Sequence, residues 1–310
     1  MTMDSQTLEF VVQTAGERLD RLVVVEVRDR LSRAQVQALI KAGQVTVNGA
    51  QVKPGVKLKG GERVRVIIPA HAEASVVQPE AIPLAVLYED EDIVVIDKPA
   101  GMTVHPGVGN ETGTLVSALL ARWPEIAQAD PEPKRAGIVH RLDKDTSGLM
   151  VIAKHDRARR RLMAQFQSRT VEKTYIALVE RAPQTRTGRI DAPIGRDPQQ
   201  RKRMAVLRGG RPAITEYEVI DNRFRDGRAL LRVRLLTGRT HQIRVHLAFI
   251  GCPIVGDAVY GFRRQRLKLK RHFLHAAELA FDQPMSGQRL RFQAPLPDGL
   301  QQALAKLREP

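Results

Sequence analysis

Gly137-Ile138-Val139-His140-Arg141-Leu142-Asp143-Lys144-Asp145-Thr146-Ser147-Gly148-Leu149-Met150 is the stretch whose reading decides the rest of the chain. Two apolar residues lead into a polar loop, and Gly148 opens a second apolar run that reads as a strand. Such a layout suspends reactive side chains between two buried supports. The same residues, Asp143, Asp145, Thr146 and Ser147, would also make an ordinary Asx-type turn. A kinase catalytic loop needs His-Arg-Asp contiguous, an Asn five residues after the Asp and a Gly-rich loop upstream. Leu142 breaks the first requirement and the other two are not met.

Working outward, Leu84–Tyr88 and Ile93–Ile96 read as strands split by the acidic turn Glu89-Asp90-Glu91-Asp92. Downstream strands are expected at Leu149–Ala153, Lys173–Val179, Ile214–Val219, Ala229–Leu235 and Leu290–Phe292. Helical periodicity covers 114–122, 155–167 and 240–250, and a last helix, 298–308, is expected to pack on the surface. Strands outnumber helices without alternating with them. The fold class is therefore α+β, with a mixed, largely antiparallel sheet flanked by helices and loops.

Ahead of this lies a smaller pattern. Residues 1–15 read as an N-terminal arm, with Phe10-Val11-Val12 its one apolar feature. Leu19, Leu22, Val23 and Val27 repeat at helical steps, and Ser32 is placed to cap a second helix burying Val36, Leu39 and Ile40. Gly43 ends that helix, Val45 and Val47 alternate up to the turn Asn48-Gly49, and Val64, Val66 and Ile68 form another strand. Residues 16–69 thus form a small module, residues 70–83 a linker rich in Ala, Glu and Pro, and residues 84–310 a larger domain.

The 310 residues carry 50 Lys and Arg against 34 Asp and Glu, a net charge of +16. The excess is uneven: +6 over residues 16–70, −6 over 71–100 and +18 over 101–310. A basic, acidic, basic order suits two units facing a polyanion such as nucleic acid, joined by a segment that does not touch phosphates. A single cysteine, Cys252, excludes a disulfide framework within the chain. The absence of any run approaching membrane-span length and of a basic-then-apolar start points to a soluble, cytoplasmic protein without a membrane partner. Walker-type phosphate loops, dinucleotide glycine fingerprints and spaced metal-ligand clusters are also missing, so neither cofactor nor metal is expected.

Arg18-Leu19-Asp20-Arg21-Leu22, Leu31-Ser32-Arg33 and Ile40-Lys41-Ala42-Gly43-Gln44-Val45-Thr46-Val47-Asn48-Gly49, closed by Gly61-Glu62-Arg63-Val64, together resemble the S4 RNA-binding domain. That resemblance implies that Arg18, Arg21, Arg33 and Lys41 meet RNA phosphates. His140-Arg141-Leu142-Asp143 and Thr146-Ser147-Gly148-Leu149 resemble the active-site motif of the RluA-type pseudouridine synthases. Asp97-Lys98-Pro99-Ala100-Gly101-Met102, Glu172-Lys173-Thr174-Tyr175, Thr237-Gly238-Arg239-Thr240-His241-Gln242-Ile243-Arg244 and Gly251-Cys252-Pro253-Ile254-Val255-Gly256-Asp257 look like its other motifs, in the family's order.

The resemblance implies an RNA isomerase that detaches uracil from C1′ of ribose, turns it and rejoins it through C5, with no cofactor. It makes Asp143 the reactive carboxylate, attacking C1′ or removing a ribose proton, with Arg244 as its salt-bridge partner. Tyr175 is the active-site tyrosine, offering a stacking face and a hydroxyl. Arg141, with His140 beside it, is expected at the RNA. Asp145 is the rival carboxylate in the same loop. Basic clusters at 157–161, 201–203 and 263–271 are expected to bind flanking phosphates. An S4 module ahead of this domain resembles the subgroup acting on large-subunit ribosomal RNA, and the family implies a monomer; the alternative readings are the same chemistry on transfer RNA, or an RNA-binding ribosome-assembly factor without catalysis.

Overall fold

Apolar residues at helical and two-residue spacings build two separate units in the computed structural model, Met1–Val76 and Val77–Pro310. It describes every residue except 1–5, 28–30, 32, 69–76, 108, 131–134, 201–202, 225, 263, 266, 268 and 309–310, together with the side chains of 33 and 34. The expected Ser32 cap therefore lies outside the described residues.

The first unit contains β1 (Gln6–Val11), α1 (Leu19–Glu26), α2 (Arg33–Lys41), β2 (Val45–Val47), β3 (Ala50–Gln51) and β4 (Arg63–Ile68). Its antiparallel sheet has the order β1-β4-β2-β3. Gln6–Val11 pairs along the whole of β4, so the expected N-terminal arm is an edge strand of this sheet. The turn between β2 and β3 holds Asn48 and Gly49 at φ +50° and +80°, the left-handed values that a two-residue hairpin requires. Leu19 and Val23 of α1 and Val36 and Ile40 of α2 close over Val45, Val64 and Val66. Removing these side chains from water at about 1.5–3 kcal/mol each is the main stabilisation available to so small a unit.

The second unit opens with Val77, which is buried in its core. Val77 lies within the stretch expected as a linker, 70–83. The hairpin of β5 (Ala85–Glu89) and β6 (Ile93–Lys98) is fixed at its turn by Asp90, whose Oδ1 accepts the N–H groups of Asp92 and Ile93. There follow α3 (Leu115–Arg122), capped by Thr114, and β7 (Ser147–Ala153), then α4 (Asp156–Ser168) and β8 (Glu172–Val179). Next come β9 (Thr187–Asp191), β10 (Ile194–Arg196), β11 (Met204–Val206), β12 (Ile214–Asp221), β13 (Ala229–Leu235) and α5 (Gln242–Phe249). The unit ends with β14 (Leu274–Asp282), β15 (Arg289–Gln293) and α6 (Asp298–Arg308).

The main sheet runs β5-β6-β7-β14-β8-β13-β12-β9, with β15 also paired to β14. Among the described residues only β7 and β14 pair in parallel; the other pairings of this sheet are antiparallel, as the sequence leads one to expect. β10 and β11 form a separate hairpin. The central strands β6, β7 and β14 are buried on both faces, with one core under α3 and a second under α4. Gly148 marks the β7–β14 contact: at φ +120°, a Cβ there would stand 2.3 Å from the Ala276 carbonyl oxygen. The last helix does not simply lie on the surface, because Leu300, Ala303 and Leu304 are buried in the main core.

Candidate active site

The loop from Val139 to Thr146 is held from beneath by side chains that bind its backbone. His140 Nε2 accepts the N–H of Val151 at 3.1 Å, and its ring stacks on Phe166 with centroids 4.8 Å apart. Burial, then the charge of Lys173, pushes His140 down to about 3, consistent with a neutral ring whose Nε2 is free to accept. Lys98, wholly buried, donates Nζ to the carbonyls of Pro99, Met102 and Lys144. Arg271 donates to the Asp145 carbonyl and to Ser147 Oγ, Ser147 Oγ bonds His275 Nδ1, and Thr146 Oγ1 bonds His272 Nε2 at 2.8 Å. These bonds tie the loop to the sheet beneath it.

Arg244 arrives from the other side, on the first turn of α5. That turn is anchored by Gln242, whose Oε1 accepts from Thr237 Oγ1 and Arg239 N while its Nε2 donates to the Ile214 carbonyl and Thr215 Oγ1. His241, at φ +56°, precedes it and bonds Tyr260 Oη through Nδ1. Arg244 donates Nε and Nη2 to the two oxygens of Asp257 at 2.8 and 3.0 Å, and Nη1 to Asp143 Oδ2 at 3.0 Å. Burial works against the guanidinium charge, but hydrogen bonds and attraction from Asp257, and then from Asp143, outweigh it and raise the pKa above the ordinary arginine value. Asp257 is buried too, yet Arg244 and the N–H groups of Tyr260 and Val259 hold its carboxyl below the usual range. The bidentate grip on Asp257 leaves Arg244 one N–H edge to aim, and that edge meets Asp143.

Both groups line a cavity of about 520 Å³, within the range of ligand sites. Tyr175, on β8, forms part of its wall; its hydroxyl makes no hydrogen bond to a described residue. Burial, then the charge of Asp143, raises the Tyr175 pKa, so the phenol is neutral. Asp143 lines the cavity and is 18% exposed, whereas Asp145 does not line it. Geometry therefore separates the two carboxylates. Arg141 and Arg169 are exposed cavity residues without an ion pair among the described residues, and Arg239 lines the cavity with them.

Asp143, Arg244, Tyr175 and Arg141 are thus brought together. His140 reaches the cavity wall, where its Nε2 accepts from Val151 and its ring stacks on Phe166. In the first unit Arg21 and Lys41 are exposed, while Arg18 is bound to the buried carboxylate of Asp20, which also accepts from Gln37. The side chain of Arg33 lies outside the described residues. Of the basic clusters, Arg159 and Arg160 pair with Asp156, Arg161 donates to the Pro284 carbonyl and Arg271 supports the loop. Arg201, Lys202, Arg263, Arg266 and Lys268 lie outside the described residues. Asp257, Lys98 and Lys173 stand inside motifs quoted above without an assigned role, and Tyr260 gave no signal beyond its place three residues after Asp257. Among the described residues no group of three or more His, Cys, Asp or Glu is placed to hold a metal ion.

Residues 92–249 match the RNA pseudouridylate synthase family, and residues 17–64 match the S4 domain. The chain belongs to the RNA pseudouridylate synthase family. As a pseudouridine synthase it is 53% identical over 297 residues to an uncharacterized RNA pseudouridine synthase of Chloroflexus aurantiacus, covering 96% of this chain and 92% of that one. It is 44% identical to the ribosomal large subunit pseudouridine synthase D of Xanthomonas campestris, covering 99% and 94%. The solved structure of human RNA pseudouridylate synthase domain containing 1 superposes with a TM-score of 0.57 at 26% identity, over 72% of this chain and 89% of that one.

Proposed function

We propose that this pseudouridine synthase isomerises uridines of large-subunit ribosomal RNA, with Asp143 as the reactive carboxylate, Arg244 as the cation that aims it and Tyr175 as the surface on which uracil rests. The observation that carries the reading is the Arg244–Asp143 pair at the wall of a cavity sized for a nucleotide. The two residues are 101 positions apart in sequence, so it is the fold that brings them together. Support for the RNA class comes from the relatives named for the large ribosomal subunit and from the S4 match.

In the reaction the C1′–N1 bond breaks and its electron pair leaves with the base. The base turns, C5 bonds to C1′, the C5 proton is lost and N1 gains one. Attack by Asp143 on C1′ and removal of a ribose proton by Asp143 both fit this sequence of events. The uridine must first leave its stack, at a cost of a few kcal/mol. Arg141, exposed and two residues before Asp143, has the planar head to fill the vacated space. The domain division follows the chemistry: residues 16–69 bind RNA through Arg21 and Lys41, and 84–310 carry the catalytic groups. By its family resemblance we read the enzyme as a monomer that acts in the cytoplasm without a cofactor.

The test is incubation of the purified protein with large-subunit ribosomal RNA and with transfer RNA, followed by pseudouridine mapping at nucleotide resolution. New pseudouridine in the ribosomal RNA supports the proposal. Product in transfer RNA alone overturns the substrate, and product in neither overturns the chemistry.

A further inference from the structure

Lys173 is a cation in the cavity that the account above does not use. It lies two residues before Tyr175 on β8, so the two side chains leave the strand on the same face, and both line the cavity. Its ammonium stands 5.5 Å from the centre of the Phe166 ring, and it makes no hydrogen bond or ion pair with a described residue. Burial alone lowers its pKa, to about 8; no neighbouring carboxylate offsets that loss. A partly buried cation without a counter-charge is costly to keep in a folded protein. Such a group is suited to a negative charge that exists only during turnover.

Resting on the function proposed above, we propose that Lys173 is a further catalytic residue, whose ammonium donates to a carbonyl oxygen of the uracil ring while the base is detached from ribose. When the C1′–N1 bond breaks, its electron pair goes to the base, and the resulting anion spreads over N1, O2 and O4. Arg244 is already shared between Asp143 and Asp257 and faces the sugar side of the reaction. Arg141 and Arg169 are exposed, and Arg141 already serves to fill the space the uridine vacates. Lys173, beside Tyr175 and over Phe166, has the surroundings of a base pocket: one aromatic wall, one apolar ring and one hydrogen-bond donor.

The experiment is single-turnover conversion of a short RNA accepted by the intact wild-type protein, compared with K173M and K173R, with RNA affinity measured separately. Conversion by the wild type establishes the parent reading independently of Lys173. The proposal predicts that K173M slows the chemical step by about 10²-fold, as loss of one preorganised donor to a developing anion does, with RNA affinity almost unchanged. K173R should recover part of the rate. A second arm needs no variant: replacing O2 or O4 of the target uridine by sulfur should slow the wild type at one of the two positions, and K173M should be insensitive to that replacement. Weaker RNA binding by K173M with an unchanged chemical step would make Lys173 a phosphate anchor and overturn the proposal. Equal indifference of the wild type to both sulfur substitutions would overturn it as well.

Discussion

Asp257→Asn isolates the part of the site that acts through Arg244, because Asp257 is not a cavity residue. Its Oδ1 accepts from Arg244 Nη2, Val259 N and Tyr260 N, and its Oδ2 from Arg244 Nε. An asparagine with its oxygen at the Oδ1 position keeps three of these bonds. Its amide nitrogen then faces Arg244 Nε, donor against donor, and the buried guanidinium keeps only Asp143 as counter-charge. Breaking a buried pair costs about 3–5 kcal/mol, and the surviving bonds place this variant near the lower end. At about 2–4 °C per kcal/mol for a unit of this size, the melting temperature should fall by about 6–12 °C. The effect has a pH signature. Asp257 has a depressed pKa in the folded state, so its stabilisation is present above the unfolded carboxylate value of about 4 and is lost as pH falls through the folded value. Thermal unfolding followed by circular dichroism should therefore show a wide gap between wild type and D257N at about pH 7 and a narrow one in strong acid. RNA affinity should persist while turnover drops. A fall of under about 2 °C at neutral pH, or a gap unchanged by acid, would refute the reasoning.

Tyr175 offers a hydroxyl for the C5 proton as well as a ring for uracil; Tyr175→Phe removes that hydroxyl, which bonds no described residue, and keeps the buried ring, so its melting temperature should stay within a few degrees of wild type while single-turnover conversion slows by about 10²-fold. Replacing Arg21 and Lys41 together by alanine should weaken RNA binding and reduce the slope of log affinity against log salt by about 0.7–0.9 per lost contact, read from filter binding over a salt series. Lys173 has a folded-state pKa of about 8, below the unfolded value of about 10.4, so its burial opposes folding most below pH 8 and progressively less as pH rises between the two. K173M should therefore melt above the wild type at neutral pH, with the difference shrinking toward about pH 10 by differential scanning fluorimetry.

Much of this fold is legible because its strands obey simple periodicities. Val64, Val66 and Ile68 alternate, and Ile93–Ile96 is a short apolar run after the acidic turn 89–92. β14 escapes such a reading: His275, Ala276, Ala277 and Ala280 have neither alternation nor strand-forming side chains, and their position is set by neighbours on both edges. The polar loop around Asp143 and Asp145 is legible as a reactive stretch, and the family resemblance already favours Asp143; that Asp143 rather than Asp145 lines the cavity depends on how the backbone turns. Partner choice among arginines is the least legible feature. Arg18 and Arg271 look like phosphate contacts in a basic sequence, yet each is engaged by a nearby acceptor, which depends on packing rather than on charge. Asp257 is the opposite case, an acid that stands only as the last residue of a motif until the fold buries it against Arg244.

Asp143→Asn bears most directly on the whole account, measured as pseudouridine formed in large-subunit ribosomal RNA by the purified variant beside the wild type, with RNA binding recorded in the same preparation. Product from the wild type, none above background from D143N, and equal RNA binding by both is the predicted result. Undiminished product from D143N would contradict the account, because the carboxylate that Arg244 aims into the cavity would then have no part in the chemistry.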